Sequence, residues 1–298
     1  MANMPLHVAL HHVTRYAYDR AVELGPHLIR LRPAPHFRGR VLSYSLQVEP
    51  DHHLIQWQRD ALANYEAHLL FSAKTMEFRV TVDLKVEIAP SNAFDVIVAP
   101  EATHYPFRYS PQLQQELAPC LRPAAAGPLL QAYVDQSVRS EAPTLDFLID
   151  LNRKLYEHLR YRVRREPGVQ TPEQTLALQS GSCRDSSWLL VQLLRHLGFA
   201  ARFVSGYLVQ PTPDLDRSMA NGTGSEFAEL HAWCEVYLPG AGWVGLDPTS
   251  GLLTSEIHIP LACSPEPSGT APIEGRVDPC DVDFSHSIRY DIMQTGTR

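Results

Sequence analysis

The sequence predicts a chain that is antiparallel β in its first hundred residues and mixed helix and strand in the remainder. Three observations carry that division: period-two alternation before residue 100, a proline-studded stretch at 101–128, and helix-period apolar spacing beyond it. Between 78 and 88, Val80, Val82, Leu84, Val86 and Ile88 interleave with Arg79, Thr81, Asp83, Lys85 and Glu87. That is the pattern of a strand with one face in a core and the other in water. Tyr44, Leu46 and Val48 alternate in the same way with Ser45, Gln47 and Glu49. Further strand segments at 6–18, 27–32, 53–59 and 67–72 give enough strands for a β-sandwich domain over residues 1–100.

The stretch 101–128, with Pro106, Pro111, Pro119, Pro123 and Pro128, reads as a connector. After it, Leu145, Leu148, Leu151 and Leu155 recur at three- and four-residue steps, which predicts a helix over 144–160. Pro172 and Glu173 open a short helix through Leu178. A third helix begins at Cys183. Ser182 is its N-cap, Asp185 falls where a capping box needs an acid, and Gly198 stops it. Leu190, Leu193, Leu194 and Leu197 form its apolar face. Strands follow at 200–209, 230–238 and 243–247, so 129–255 forms a second domain. Apolar segments at 261–263 and 288–293 predict that the tail, 256–298, adds strands that complete the fold.

Composition narrows the function classes. With 44% hydrophobic and 20% charged residues in 298, the chain reads as a soluble globular protein. A net charge of −7 gives no electrostatic support to a nucleic-acid or anionic-membrane partner. No apolar run approaches the roughly 20 residues that span a bilayer, and the first residues show no basic segment leading into an apolar one. Cys120, Cys183, Cys234, Cys263 and Cys280 are scattered, without a C-x-x-C pair. That spacing fits neither a disulfide framework nor a zinc ribbon, and a cytoplasmic location is expected. His11-His12 and His52-His53 are adjacent strand residues that face opposite sides, so no metal site is expected from them.

The chemistry-bearing residues are Cys183 in Gly181-Ser182-Cys183-Arg184-Asp185, His231 in His231-Ala232-Trp233, and Asp247 in Gly245-Leu246-Asp247-Pro248. A thiol, a base and a group to orient the base are what acyl-transfer chemistry requires. As the first residue of its helix, Cys183 sits where free N–H groups and the dipole favour thiolate, and where its own N–H can face an oxyanion. Taking Pro239-Gly240-Ala241 as a three-residue hairpin loop sets Leu238 opposite Gly242 and His231 opposite Thr249. Asp247 then lies diagonally across from His231 on the same face. Trp233 shares that face and is a candidate wall of the cleft; Cys234 faces away and is expected to be inert. Asp185 is first a helix cap and second a cleft residue. Tyr207 is a further cleft candidate, and it and Arg202 are explained equally well by structure. The polar stretch between the strands at 200–209 and 230–238 predicts a mobile flap over 210–229.

The runs GSCRDSSWLLVQLLRHLGFAARFVSGYL and HAWCEVYLPGAGWVGLDPT resemble the core of bacterial transglutaminase-like proteins, members of the papain-like cysteine-enzyme superfamily. The N-terminal β-region and the IHIPLAC and APIEG segments of the tail are similar to the regions flanking that core. The resemblance implies an α+β fold with the cysteine helix packed on an antiparallel sheet. It implies Cys183 as nucleophile, His231 as base and Asp247 as orienter, with no metal or organic cofactor. A cysteine protease or amidase acting on a peptide or protein substrate is expected, with a transglutaminase as the alternative outcome of the same thioester. A peptide-binding module that has lost activity is the competing class, against which the complete triad speaks. A redox thiol protein would need a resolving cysteine near Cys183, and the sequence has none nearby. No oligomeric state is assigned from the sequence.

Overall fold

The computed structural model describes residues 5–89, 95–138, 141–164, 166–210 and 227–293. Six strands open the chain: β1 (Leu6–Val22), β2 (Leu24–Ile29), β3 (Arg40–Glu49), β4 (His53–Arg59), β5 (Tyr65–Phe71) and β6 (Thr75–Ile88). The helices are α1 (Pro111–Glu116), α2 (Ala118–Leu121), α3 (Pro128–Ser137), α4 (Thr144–His158), α5 (Pro172–Leu178) and α6 (Cys183–His196). Then come β7 (Ala201–Gln210), β8 (Phe227–Leu238), β9 (Gly242–Asp247), β10 (His258–Ser264), β11 (Ile273–Val277) and β12 (Val282–Met293). The fold is α+β with antiparallel main sheets, as the alternating segments and the helix-period stretch predict.

Two four-stranded sheets, ordered β12-β1-β6-β3 and β11-β2-β5-β4, form the N-terminal sandwich. The even-numbered apolar residues of β6, from Val80 to Ile88, are buried, while Asp83 and Lys85 on the other face are exposed. The tail reaches further than its apolar segments imply. β12 pairs with β1 from His7 opposite Met293 to Tyr18 opposite Val282, and β11 pairs with β2. The sandwich thus takes an edge strand of each sheet from the end of the chain. β11 is absent from the sequence reading because Ile273-Glu274-Gly275-Arg276-Val277 is too short and polar to show a period.

The third sheet is ordered Leu252–Leu253, β9, β8, β7, β10, and α6 packs against it. Ser187 of α6 donates a hydrogen bond to the Ala232 carbonyl of β8 at 3.0 Å. Leu189, Leu190, Val191, Leu193 and Leu194 are fully buried, wider than a one-sided stripe, because α3 and α5 cover the helix from other sides. One core joins this sheet to the sandwich: Tyr207, Val209, Ile259 and Leu261 pack with Val8, Leu69, Val82 and Leu84.

The proline-studded stretch expected as a connector has structure of its own. It holds α1 and α2 and buries Tyr105, Tyr109, Leu117 and Cys120. The Tyr109 hydroxyl donates to the Tyr237 carbonyl at 2.8 Å and accepts from the Ala200 N–H at 3.0 Å, which ties the stretch to β8 and the start of β7. Aromatic side chains between prolines supply enough apolar area to dock it. The expected flap falls largely on 211–226, outside the described residues.

Candidate active site

Cys183 is the first residue of α6, with Ser182 as N-cap in extended geometry. Asp185 reaches back so that one oxygen, Oδ2, accepts from both the Ser182 N–H and the Ser182 hydroxyl at 2.8 Å. Its other oxygen accepts from the Gln170 N–H at 2.7 Å and from Arg164 at 3.3 Å. Asp185 is fully buried and all its contacts are structural, so it caps the helix and holds Arg164 and Gln170. This corrects its candidacy as a cleft residue: both oxygens are already occupied.

The hairpin reading of β8 and β9 matches the observed register. Leu238 lies opposite Gly242 and Cys234 opposite Leu246. His231 and Asp247 consequently meet, with His231 Nε2 3.1 Å from Asp247 Oδ2 and both side chains almost fully buried. Thr249 fixes the carboxylate from the other side, donating to Asp247 Oδ1 through its N–H at 2.8 Å and its hydroxyl at 2.7 Å. Asn152 of α4 donates to the Asp247 carbonyl at 3.2 Å and to that of Leu252 at 3.0 Å, holding the turn that follows β9.

Burial alone would push the His231 pKa down. The charge of Asp247 and the hydrogen bond to it, joined by the Cys183 thiol, outweigh burial and hold it well above 6.5. Burial likewise opposes ionisation of Asp247, but His231 and then His258 hold its carboxyl well below 3.8. His231 Nδ1 has no hydrogen-bond partner among the described residues. With Nε2 turned to Asp247, Nδ1 is the nitrogen left for the thiol; it is buried, and the Glu229 carboxylate stands 3.6 Å from it.

Trp233 lies beside His231 with ring centroids 6.5 Å apart and is 1% exposed. Its Nε1 is buried without a hydrogen-bond partner among the described residues. It occupies the space over Gly206, where an added Cβ would fall 2.4 Å from the indole. Cys234 faces the opposite way into the α6 core, and burial pushes its thiol well above the usual range. Tyr207 is not in the cleft. Strand alternation turns it to the face opposite Gly206, where its hydroxyl meets His12 Nδ1 at 2.8 Å. Arg202 is bound to Glu235 at 2.6 Å and stacks on Trp243, a structural role.

Sequence reasoning missed His258, Thr249, Asn152 and Gly206. His258 Nε2 is 3.4 Å from Asp247 Oδ2, and its ring meets Trp233 edge-on at 5.2 Å. Ligand atoms of His231, Asp247 and His258 all lie within 4.8 Å of one another, compact enough for a divalent cation. The tautomer of His258 opposes that use: the Ser255 N–H donates to Nδ1 at 3.3 Å, which leaves the proton on Nε2, the atom a metal would need bare.

Residues 131–248 match the transglutaminase-like superfamily, and residues 8–87 match the bacterial transglutaminase-like N-terminal region. The chain belongs to that superfamily and carries the bacterial N-terminal region ahead of its core. An uncharacterized protein of Mycobacterium tuberculosis is 24% identical over 273 residues, spanning 89% of this chain and 85% of its own. One from Bacillus subtilis is 39% identical over 75 residues, 24% of this chain and 10% of its own. Among solved structures, a Cytophaga hutchinsonii protein described as a "Putative Cysteine Protease" aligns with a TM-score of 0.74 at 16% identity, over 99% of this chain and 93% of its own. That last likeness is one of fold. Among the described residues, no helix is long and apolar enough to cross a membrane.

Proposed function

We propose that this protein is a cysteine-dependent hydrolase of peptide or amide bonds, working through Cys183, His231 and Asp247. The observation that carries the reading is a buried imidazole held between an acid and a thiol: His231, hydrogen-bonded to Asp247 at 3.1 Å and interacting with Cys183 at a helix N-terminus. Asp247 and Cys183 together favour imidazolium at neutral pH, and in the proposed cycle His231 is the group that takes the proton of the attacking thiol. The thiolate attacks the substrate carbonyl. The Cys183 N–H, which has no intrahelical partner at this helix position, donates to the oxyanion, aided by the helix dipole. His231 then gives its Nδ1 proton to the leaving amine, and a thioester remains on Cys183. Water, deprotonated by His231, releases the acid and restores the thiol. The substrate is a peptide or protein, no cofactor enters the cycle, and five free thiols accord with a cytoplasmic setting.

The test is turnover of a panel of peptide amides, with mass spectrometry of the protein during the reaction. An acyl adduct on Cys183, with turnover abolished in Cys183→Ala, is expected. Full turnover in Cys183→Ala overturns the proposal. Conversion of the product into a substituted amide when a primary amine is added would replace hydrolysis with amine transfer. Saturable peptide binding with no adduct would make the protein a binding module.

A further inference from the structure

Asp247 Oδ2 is shared. It lies 3.1 Å from His231 Nε2 and 3.4 Å from His258 Nε2, so two imidazoles converge on one oxygen from different strands, β8 and β10. The proton of His258 sits on the Asp247 side, because its Nδ1 accepts the Ser255 N–H. Its ring is held edge-on against Trp233, and its side chain is 8% exposed. Asp247 Oδ1 is already bound twice by Thr249.

We infer that His258 is a positioning residue of this site: as a neutral imidazole it donates Nε2–H to Asp247, fixing the carboxylate and drawing part of its charge away from His231. The inference rests on the reading of Cys183, His231 and Asp247 as the reacting set. A carboxylate with donors on both oxygens keeps its orientation when His231 moves its proton during turnover. A donor on the shared oxygen also makes the carboxylate a weaker partner for imidazolium, so His231 releases its proton to the leaving amine more readily. Among the described residues, the ionisable groups facing His231 are Cys183 from α6, Glu229 on its own strand, Asp247 from β9 and His258 from β10. Removing the His258 donor changes one of these and leaves the others in place, since Thr249 still anchors Asp247.

The experiment compares wild type, His258→Phe, His258→Gln and His231→Ala. Histidine side-chain NMR across pH follows His231, assigned by the signal missing in His231→Ala, and peptide-amide turnover is measured alongside. In His258→Phe, which keeps a ring against Trp233 and loses the donor, the His231 midpoint is expected to rise by about half a pH unit. The kcat is expected to fall on the order of tenfold, the scale of a hydrogen bond to a charged group, with KM little changed. His258→Gln, whose amide can donate from a similar position, should restore most of both. A His231 midpoint and kcat unchanged in His258→Phe would overturn the inference, as would a Gln variant no better than Phe. Where the Phe variant does not fold, His258→Leu, equally free of a donor, carries the same comparison. Failure of the underlying reading is distinct: His231→Ala would then leave turnover intact.

Discussion

His12 and Tyr207, 195 residues apart, are joined by a 2.8 Å hydrogen bond inside the core that the sandwich shares with the sheet carrying His231 and Asp247. His12 Nε2 also meets Thr14 Oγ1 at 2.8 Å, and the two rings pack edge-on at 5.6 Å. A neutral imidazole, accepting at one nitrogen and donating at the other, satisfies both contacts. The sandwich and the site sheet are therefore coupled through a buried base.

That base predicts a pH dependence of stability. Burial, with the nearby charges of His286 and His11, lowers the His12 pKa to about 4. Above pH 6.5 neither folded nor unfolded His12 is protonated, and nothing is lost. Below it the unfolded chain takes up a proton that the folded chain refuses, so stability falls until about pH 4. The full shift corresponds to about 3 kcal/mol. Urea denaturation between neutral pH and about pH 4 should show a smaller loss in His12→Gln, which cannot protonate. Equal losses in the two proteins would refute this.

Gly206 is required by its neighbours. A Cβ there would lie 2.3 Å from the Ile259 carbonyl oxygen on β10 and 2.4 Å from the Trp233 ring on β8. Backbone cannot yield, so in Gly206→Ala the indole is driven against His231 and His258. We expect a stability loss of about 1–3 kcal/mol, the range for overpacking, and a steeper loss of turnover. Thermal melting and tryptophan fluorescence check it, and a variant with wild-type melting and activity would show the contact to be slack.

Asp185→Asn separates scaffold from chemistry. The substitution removes the charge that faces Arg164 and weakens the cap on α6, which should cost about 2–4 kcal/mol. No hydrogen bond of Asp185 goes to Cys183 or His231. The folded variant should therefore alkylate at Cys183 with the wild-type dependence on pH. A displaced pH profile, rather than a lower melting temperature alone, would give Asp185 a part in the chemistry.

That Cys183 opens α6 and that His231 meets Asp247 was legible because each rests on local signals. Ser182 and Asp185 fix where α6 begins, and a three-residue loop fixes the β8–β9 register by counting alone, with Gly240 and Gly242 at positive φ as such a tight turn requires. Tyr207 was misplaced because alternation yields two faces of β7 without saying that the sandwich covers one of them. His258 was invisible for a related reason. Its strand pairs with β7 across a register shift between Ser205 and Gly206, so no parity count carries it to Asp247. The strands the tail gives to the sandwich are likewise long-range pairings, and in 101–128 the prolines concealed docked aromatic residues.

Asp247→Asn tests the electrostatics of the pair itself. In the wild type, the stabilisation from the Asp247 charge is present above pH 3.8 and is lost as pH falls through its depressed folded value. That from His231 is present below pH 6.5 and is lost as pH rises through its raised folded value. Between those limits both groups are charged, and each holds the other so. An asparagine keeps the shape and can still accept from Thr249, but it supplies no charge. With that charge gone, only Cys183 opposes burial and the His231 pKa falls, so at neutral pH the imidazole loses the proton it must hand to the leaving amine. Turnover should fall on the order of ten-thousandfold, the scale seen when a buried carboxylate behind a catalytic imidazole is neutralised. Histidine side-chain NMR should find His231 protonated at neutral pH in the wild type and neutral in the variant. A variant whose His231 stays protonated would place the source of its charge in Cys183 or Glu229 rather than in Asp247.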